Sequence, residues 1–340
     1  RRREAGSRGW RSRHAQREVV CQPWVSEAMR FRTLGRTGIP VSVIAFGAGP
    51  VSGWATSTQT RQQIETVQQA IDLGINWFDT APTYSDGRSE QALGQVLTEL
   101  NSQDRVHVAT KVRLTEDAFR DLRGFIHSSV EASLQRLRRQ NLTLLQLHNS
   151  ITAQRGDQPT SVTPQDVLDS DGVLVAFEEL RAAGVVQHLG LTGLGEPRSL
   201  KSVVDTGRFD TVQTPFNLLN PSAGQGVPAA FPEDNLGNLF QNCSDHQMGV
   251  FAIRVFAGGA LAMREPSAHT RITKFFPLDL YQRDRQRANE IAKGLPRGRS
   301  VPEVALQFAL AHPAVSAAIV GFGNAEEIRQ AVGFIVDENS

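Results

Sequence analysis

Eight short apolar runs, each followed by an amphipathic stretch of helical period, divide the body of this 340-residue chain and predict an α/β fold with a parallel sheet. Two further observations narrow the class to a (β/α)8 (TIM) barrel with an N-terminal β-hairpin capping the barrel floor. The glycine turn after the first run, Ala45-Phe46-Gly47-Ala48-Gly49-Pro50, has a proline and no third glycine, which argues against a doubly wound nucleotide-binding sheet. Ahead of it, Arg30 to Ser42 alternates apolar and polar residues around a glycine-containing turn, as a hairpin lid would. Barrels of this length form one domain around one core.

The eight strands are expected at 42–47, 75–79, 106–111, 142–147, 188–192, 210–214, 249–254 and 316–320. Helices are expected between them, at about 60–73, 89–100, 117–139, 164–183, 197–205, 235–246, 285–293 with 302–312, and 325–336. Thr60 reads as the cap of a helix with Ile64, Val67 and Ile71 on one stripe, and Ser89 reads as a cap in the same way. Three connections, 149–163, 215–234 and 256–284, exceed ordinary loop length, and long loops at the C-terminal rim of a barrel bind ligands or close over them. The Arg155-Gly156-Asp157 triplet in the first is read as chance.

Composition excludes several functions. Of 36 basic and 35 acidic residues, seven Arg and three Glu lie in the first 28, leaving 29 basic against 32 acidic from Met29 onward. The body therefore offers no basic surface for nucleic acid. Residues 1–28 are expected to be a disordered or extraneous leader, and 29–340 the single barrel domain; a transit peptide or phosphate-binding arm is the other reading of the leader. No apolar run is long enough for a membrane span. Cys21 and Cys243 sit in no metal-binding pattern, so no metal, a reducing compartment and cytoplasmic location are expected.

The chemistry lies at strand ends. The run Asn76-Trp77-Phe78-Asp79 ends in a carboxylate, and Tyr84 follows five residues later; the next two runs end in Lys111 and His148. Singly, such an Asp is a turn cap, such a Tyr a surface residue, and a Lys or His carries no signal. Together at one rim they make an acid/base site. Carbonyl reduction needs a proton at oxygen, and Lys111 would pull the Tyr84 pKa toward neutrality while Asp79 holds the ammonium. His148 would orient the carbonyl oxygen. The hydride has to come from a cofactor.

These four residues, with the string Phe78-Asp79-Thr80-Ala81-Pro82-Thr83-Tyr84, resemble the catalytic tetrad of the aldo-keto reductase family, and the resemblance extends over 31–336. It implies an NADP(H)- or NAD(H)-dependent oxidoreductase acting on an aldehyde, ketone or sugar carbonyl, as a monomer or small homo-oligomer. Thr192 and Gln213 would hold the nicotinamide carboxamide, with Gly193 where the family usually has Asn. Arg254 stands where many members stack an aromatic ring on the nicotinamide; a guanidinium plane can stack too, but its charge disfavours the oxidised ring. Phe256, Ala257, Gly259 and Leu261 fall in the family's pyrophosphate loop. After the last strand, Gly321, Gly323 and Asn324 form an anion-binding turn or a plain capped turn.

Where NADPH-specific members carry Lys and Arg around that turn, this chain has Gly321 and Glu327. A glutamate there favours a ribose hydroxyl over a 2′-phosphate, unless Arg329 compensates. Trp54, Phe216, Phe275, Phe276 and Tyr281 are candidate apolar walls for the substrate, Phe216 being equally readable as core. Two rival readings stay open: a nicotinamide-sensing regulatory subunit with little turnover, and a barrel aldolase using Lys111 as a Schiff-base amine.

Overall fold

Alternation along each strand decides what the barrel encloses. In the computed structural model, which describes residues 29–273 and 276–336, eight parallel strands close on themselves. They are β3 (Ile44–Gly47), β4 (Trp77–Asp79), β5 (His107–Val112), β6 (Leu142–Leu147), β7 (Val186–Thr192), β8 (Thr211–Pro215), β9 (Gly249–Ile253) and β10 (Val315–Gly321), with β10 pairing to β3. Each expected strand is present, shifted by at most two residues at either end.

The floor is sealed as expected. The hairpin strands β1 (Phe31–Thr33) and β2 (Pro40–Ser42) pair antiparallel, and Leu34 and Val41 enter one buried cluster with Ala45, Trp77, Ala109, Leu144, Phe251 and Ala317. Those six come from six different barrel strands, so the hairpin closes the bottom with side chains. Two residues further along β4, β5 and β6 the same inward face carries Asp79, Lys111 and Gln146. The interior thus turns from hydrocarbon at the floor to charge at the mouth.

Helices pack around the outside: α1 (Thr60–Asp72), α2 (Arg88–Glu99), α3 (Leu122–Leu137), α4 (Pro164–Leu168), α5 (Val173–Ala182), α6 (Pro197–Val204), α7 (Leu239–Asp245), α8 (Leu278–Gly294), α9 (Val301–Ala311) and α10 (Ala325–Gly333). The expected helix 117–139 breaks at Asp121, whose carboxylate caps α3 by accepting from the Gly124 amide. The expected helix 164–183 divides into α4 and α5, α5 starting after the extended Gly172. Both expected caps are corrected. Thr60 lies inside α1 after an uncapped Gln59, and α2 starts from the left-handed Gly87. True capping boxes occur instead at Thr163 and Asp166 and at Ser300 and Glu303.

No helix among the described residues is long and apolar enough to cross a membrane. The leader 1–28, Cys21 within it, and Phe275 lie outside the described residues. Cys243 is a buried free thiol with its pKa pushed up to about 12 by desolvation.

Candidate active site

The four residues expected to act together meet at the barrel mouth. Lys111, fully enclosed, donates from Nζ to Asp79 Oδ1 at 2.6 Å and to the Thr80 carbonyl at 2.8 Å, and lies 3.3 Å from Tyr84 Oη. The Tyr84 and His148 rings meet edge to face at 5.7 Å. A buried ammonium persists only with a counter-charge and saturated donors, and here both conditions are met.

Positioning comes from contacts that sequence reading missed. Asp79 Oδ2 accepts from Gln213 Nε2 at 2.9 Å and Gln146 Nε2 at 3.2 Å, so two buried amides aim the carboxylate. The loop carrying Tyr84 is pinned by Ser89, whose hydroxyl lies 2.7 Å from the Ala48 carbonyl and 2.7 Å from Thr80 Oγ1. Three successive left-handed residues, Ser85, Asp86 and Gly87 (φ 52°, 55° and 81°), then turn the chain into α2. On the outer side of β5, Thr110 Oγ1 donates to the buried Glu90 at 2.5 Å, and Arg136 Nε reaches the same carboxylate at 2.6 Å. Gln146 had a usable signal, since it lies two residues before His148, which directly follows β6, and so has the same parity along the strand direction.

Electrostatics correct one expectation. Burial raises the Tyr84 pKa above its ordinary value, opposed by Lys111 and aided by Asp79, so the phenol is not drawn toward neutrality in the site as it stands. Its ring keeps part of its surface open to the mouth, so water moderates that shift, but the hydroxyl is directed inward onto Lys111. The Lys111 pKa is also raised, because Asp79 and Tyr84 overcome desolvation. His148 falls well below the usual imidazole range through burial and the charges of Lys111 and Arg113, so it is neutral at pH 7. Its Nδ1 lies 3.4 Å from Thr83 Oγ1, which leaves Nε2 as the nitrogen for a carbonyl oxygen.

The remaining candidates divide. Trp54 is corrected: it is 1% exposed, donates from its indole to the Gln63 carbonyl, and packs edge-on against Phe46 as core. Phe216 is core as well, 2% exposed and stacked on Phe308 at 5.1 Å. Tyr281 is buried against Ala260 and Leu261 and donates to the Arg264 carbonyl. Phe276 does reach the mouth, where its ring lies 6.0 Å from the Arg254 guanidinium.

A nicotinamide dinucleotide needs amide-binding groups near Lys111 and anion donors farther out. Thr192 and Gln213 stand near the tetrad; the Thr192 hydroxyl donates to the Leu147 carbonyl and Gln213 to Asp79, each keeping an oxygen able to accept. In the loop after β9, the amides of Ala257, Gly259 and Leu261 are bonded to carbonyls of Arg254 and Phe256. At the turn after β10, Asn324 caps α10 and Glu327 dominates. Its carboxylate accepts from Gly323 N at 2.7 Å, Arg264 Nη1 at 2.9 Å and Asn324 Nδ2 at 3.2 Å. Arg329 is corrected outward, onto Glu326 and Gln69. A cavity of about 80 Å³ lies beside this cluster, lined by Phe256, Arg264, Gly321, Phe322 and Glu327 among others. The loop amides are thus bonded within their own turn, so what this corner offers the outer part of a dinucleotide is the cavity and the Arg264 guanidinium beside it.

The decisive comparison is with protein families. The profile of the Aldo/keto reductase family matches residues 43–338. The chain belongs to the aldo/keto reductase family. It is similar to L-galactose dehydrogenase of Arabidopsis thaliana, 26% identical over 314 residues that cover 92% of this chain and 90% of the relative. Among solved structures it is similar to the holo form of an aldo-keto reductase from Bacillus halodurans, with TM-score 0.67, 23% identity and 91% of each chain covered. It is also similar to an aldo-keto reductase from Klebsiella pneumoniae in complex with NADPH, with TM-score 0.62, 22% identity and 92% of each chain covered. The protein is therefore an NAD(P)-dependent oxidoreductase of this family, acting on small carbonyl compounds.

Proposed function

We propose that Tyr84 is the proton donor in reduction of a carbonyl to an alcohol, with His148 orienting the carbonyl oxygen and Lys111 and Asp79 holding the phenol's environment. The observation that supports this most strongly is the contact of one enclosed ammonium with both a carboxylate and a phenol, at 2.6 and 3.3 Å. The bound nicotinamide supplies the hydride.

With its pKa raised, the phenol holds its proton at neutral pH but is a weaker acid than a free tyrosine, so giving the proton up depends on the Lys111 ammonium beside the phenolate that forms. As the carbonyl oxygen gains charge, neutral His148 offers an N–H to it and the phenol delivers its proton; the phenolate formed is then stabilised by Lys111. Asp79 keeps that lysine charged, and the amides of Gln146 and Gln213 keep Asp79 aimed at it. The reverse reaction needs phenolate and therefore gains from higher pH.

For the cofactor we propose use of NADH as well as NADPH. Arg264 reaches the turn after β10, and Glu327 already occupies it. A 2′-phosphate arriving there would meet that carboxylate, whereas a ribose hydroxyl could donate to it. Parallel fluorescence titrations with NADH and NADPH, followed by a reactive aromatic aldehyde, test the whole reading. Binding of both within tenfold of each other, then consumption of the reduced cofactor, is expected; binding without turnover contradicts the catalytic assignment.

A further inference from the structure

Glu90 is a carboxylate that the chemistry at the mouth does not use. It stands in the first turn of α2, outside the barrel wall, with none of its surface exposed. One oxygen accepts from Thr110 Oγ1 at 2.5 Å and the other from Arg136 Nε at 2.6 Å, so an ion pair in the helix layer is joined to β5 by a hydroxyl. Thr110 directly precedes Lys111 on that strand, and alternation turns the threonine outward as the lysine points into the barrel toward Asp79.

The same pair braces the turn that carries Tyr84. Arg136, in the last turn of α3, lies against Gly87, where the left-handed turn after the phenol ends; a methyl group on Gly87 would come within 3.0 Å of Arg136 Cδ. The two helices approach so closely that a methyl group on Gly94 of α2 would lie 2.5 Å from the Arg136 carbonyl oxygen. Beside Glu90, the Ser89 hydroxyl lies 2.7 Å from Thr80 Oγ1, and the Thr80 carbonyl accepts from Lys111 Nζ at 2.8 Å. The phenol's turn and the lysine's strand are therefore both held to one buried carboxylate. Stability does not account for such a pair, because apolar side chains of similar volume in its place are often neutral or stabilising. What charge-assisted hydrogen bonds do supply is a fixed direction between the elements they join.

We infer that Glu90 is a positioning residue for the reaction: through Thr110 on β5 and Arg136 against Gly87, it sets the separation of Lys111 Nζ from Tyr84 Oη, which is 3.3 Å. The inference rests on the reductase reading above and adds to it a residue that acts from behind the barrel wall. A reacting group displaced by a change far from the chemistry loses rate without losing bound cofactor.

The test reads single-turnover hydride transfer to a reactive aromatic aldehyde in the full chain, beside dinucleotide affinity and melting temperature. Thr110→Val removes the hydroxyl and leaves the ion pair whole; transfer should fall at least about tenfold with dinucleotide affinity unchanged. Thr110→Ser keeps the hydroxyl and should restore most of the rate. Glu90→Leu with Arg136→Met replaces the pair by apolar side chains, and should melt at or above the unaltered protein while losing at least about tenfold in transfer. In a Tyr84→Phe background either change should slow the residual transfer by less than about twofold, since residues that act as a unit do not add.

A smaller fall than that in Thr110→Val or in the apolar pair overturns the inference and leaves the reductase reading standing. So does a fall that Thr110→Ser shares, or one that recurs in full once Tyr84 is phenylalanine, because general structural support would slow both backgrounds alike. If the apolar pair does not fold, Thr110→Val and its serine counterpart decide alone. Absence of any turnover in the unaltered protein contradicts the reductase reading itself, and this inference with it.

Discussion

Replacing Asp79 by asparagine would leave Lys111 Nζ, a fully enclosed ammonium, without the carboxylate 2.6 Å away. Breaking one side of a buried pair costs about 3–5 kcal/mol, because the surviving charge stays desolvated. At roughly 1.6 °C per kcal/mol for a chain of this size, Asp79→Asn should melt about 5–8 °C lower. The sign of its pH dependence is more telling than the size. In the unaltered protein the Lys111 pKa is raised, so the pair's contribution is fully present below the unfolded lysine pKa and is lost only as pH rises through the folded one. The variant reverses this: burial without a partner depresses the lysine, the unfolded chain binds more protons, and stability climbs by up to about 1.4 kcal/mol per pH unit between the two pKa values.

Denaturant melts at pH 6, 7.5 and 9 resolve the two patterns. A second variant, Asp79→Asn with Lys111→Met, removes both charges and should recover most of the lost stability while staying catalytically inert. Equal stability and equal pH dependence of Asp79→Asn and the unaltered protein would refute the buried ion pair as the organiser of the site.

Two other predictions concern the cofactor corner and acid stability. Glu327→Gln removes the carboxylate that occupies Arg264 and should tighten NADPH binding relative to NADH by about tenfold in fluorescence titration; an unchanged ratio would dissociate Glu327 from cofactor choice. His107, on the floor-side end of β5, is depressed to about 4 by burial, so stability from its neutral form is complete above the unfolded value of 6.5 and is lost as pH falls toward 4, by about 3 kcal/mol. His107→Gln should flatten the stability profile over that window in urea melts, and an unaltered acid slope would contradict the assignment.

What the sequence disclosed and what it withheld follow from range. Period-2 patterning is local, so the strands, and with them Asp79, Lys111 and His148 at their ends, were readable from the chain itself. The floor was readable too, because Leu34 and Val41 fall on one side of a short alternating hairpin. Helix caps at Thr60 and Ser89 failed for a physical reason. A serine hydroxyl has many possible acceptors, and the one at Ser89 is the distant Ala48 carbonyl, which only the folded barrel brings near. Trp54 failed likewise, and of the two readings open for Phe216 the core one holds: an aromatic residue after a strand can face the mouth or the helix layer, and packing against Phe46 and Phe308 decides it. The Arg264 contact with Glu327 joins loops that are remote in sequence, so no local pattern announces it.

The most direct test of the account is the rate of hydride transfer in a single turnover by Tyr84→Phe, with the reduced cofactor saturating. Loss of a positioned proton donor predicts a fall of about 10²–10⁴-fold with dinucleotide affinity unchanged, since the phenol's contact at 3.3 Å is to Lys111. A variant that transfers hydride within tenfold of the unaltered protein would contradict Tyr84 as the acid, and with it the reading of the tetrad.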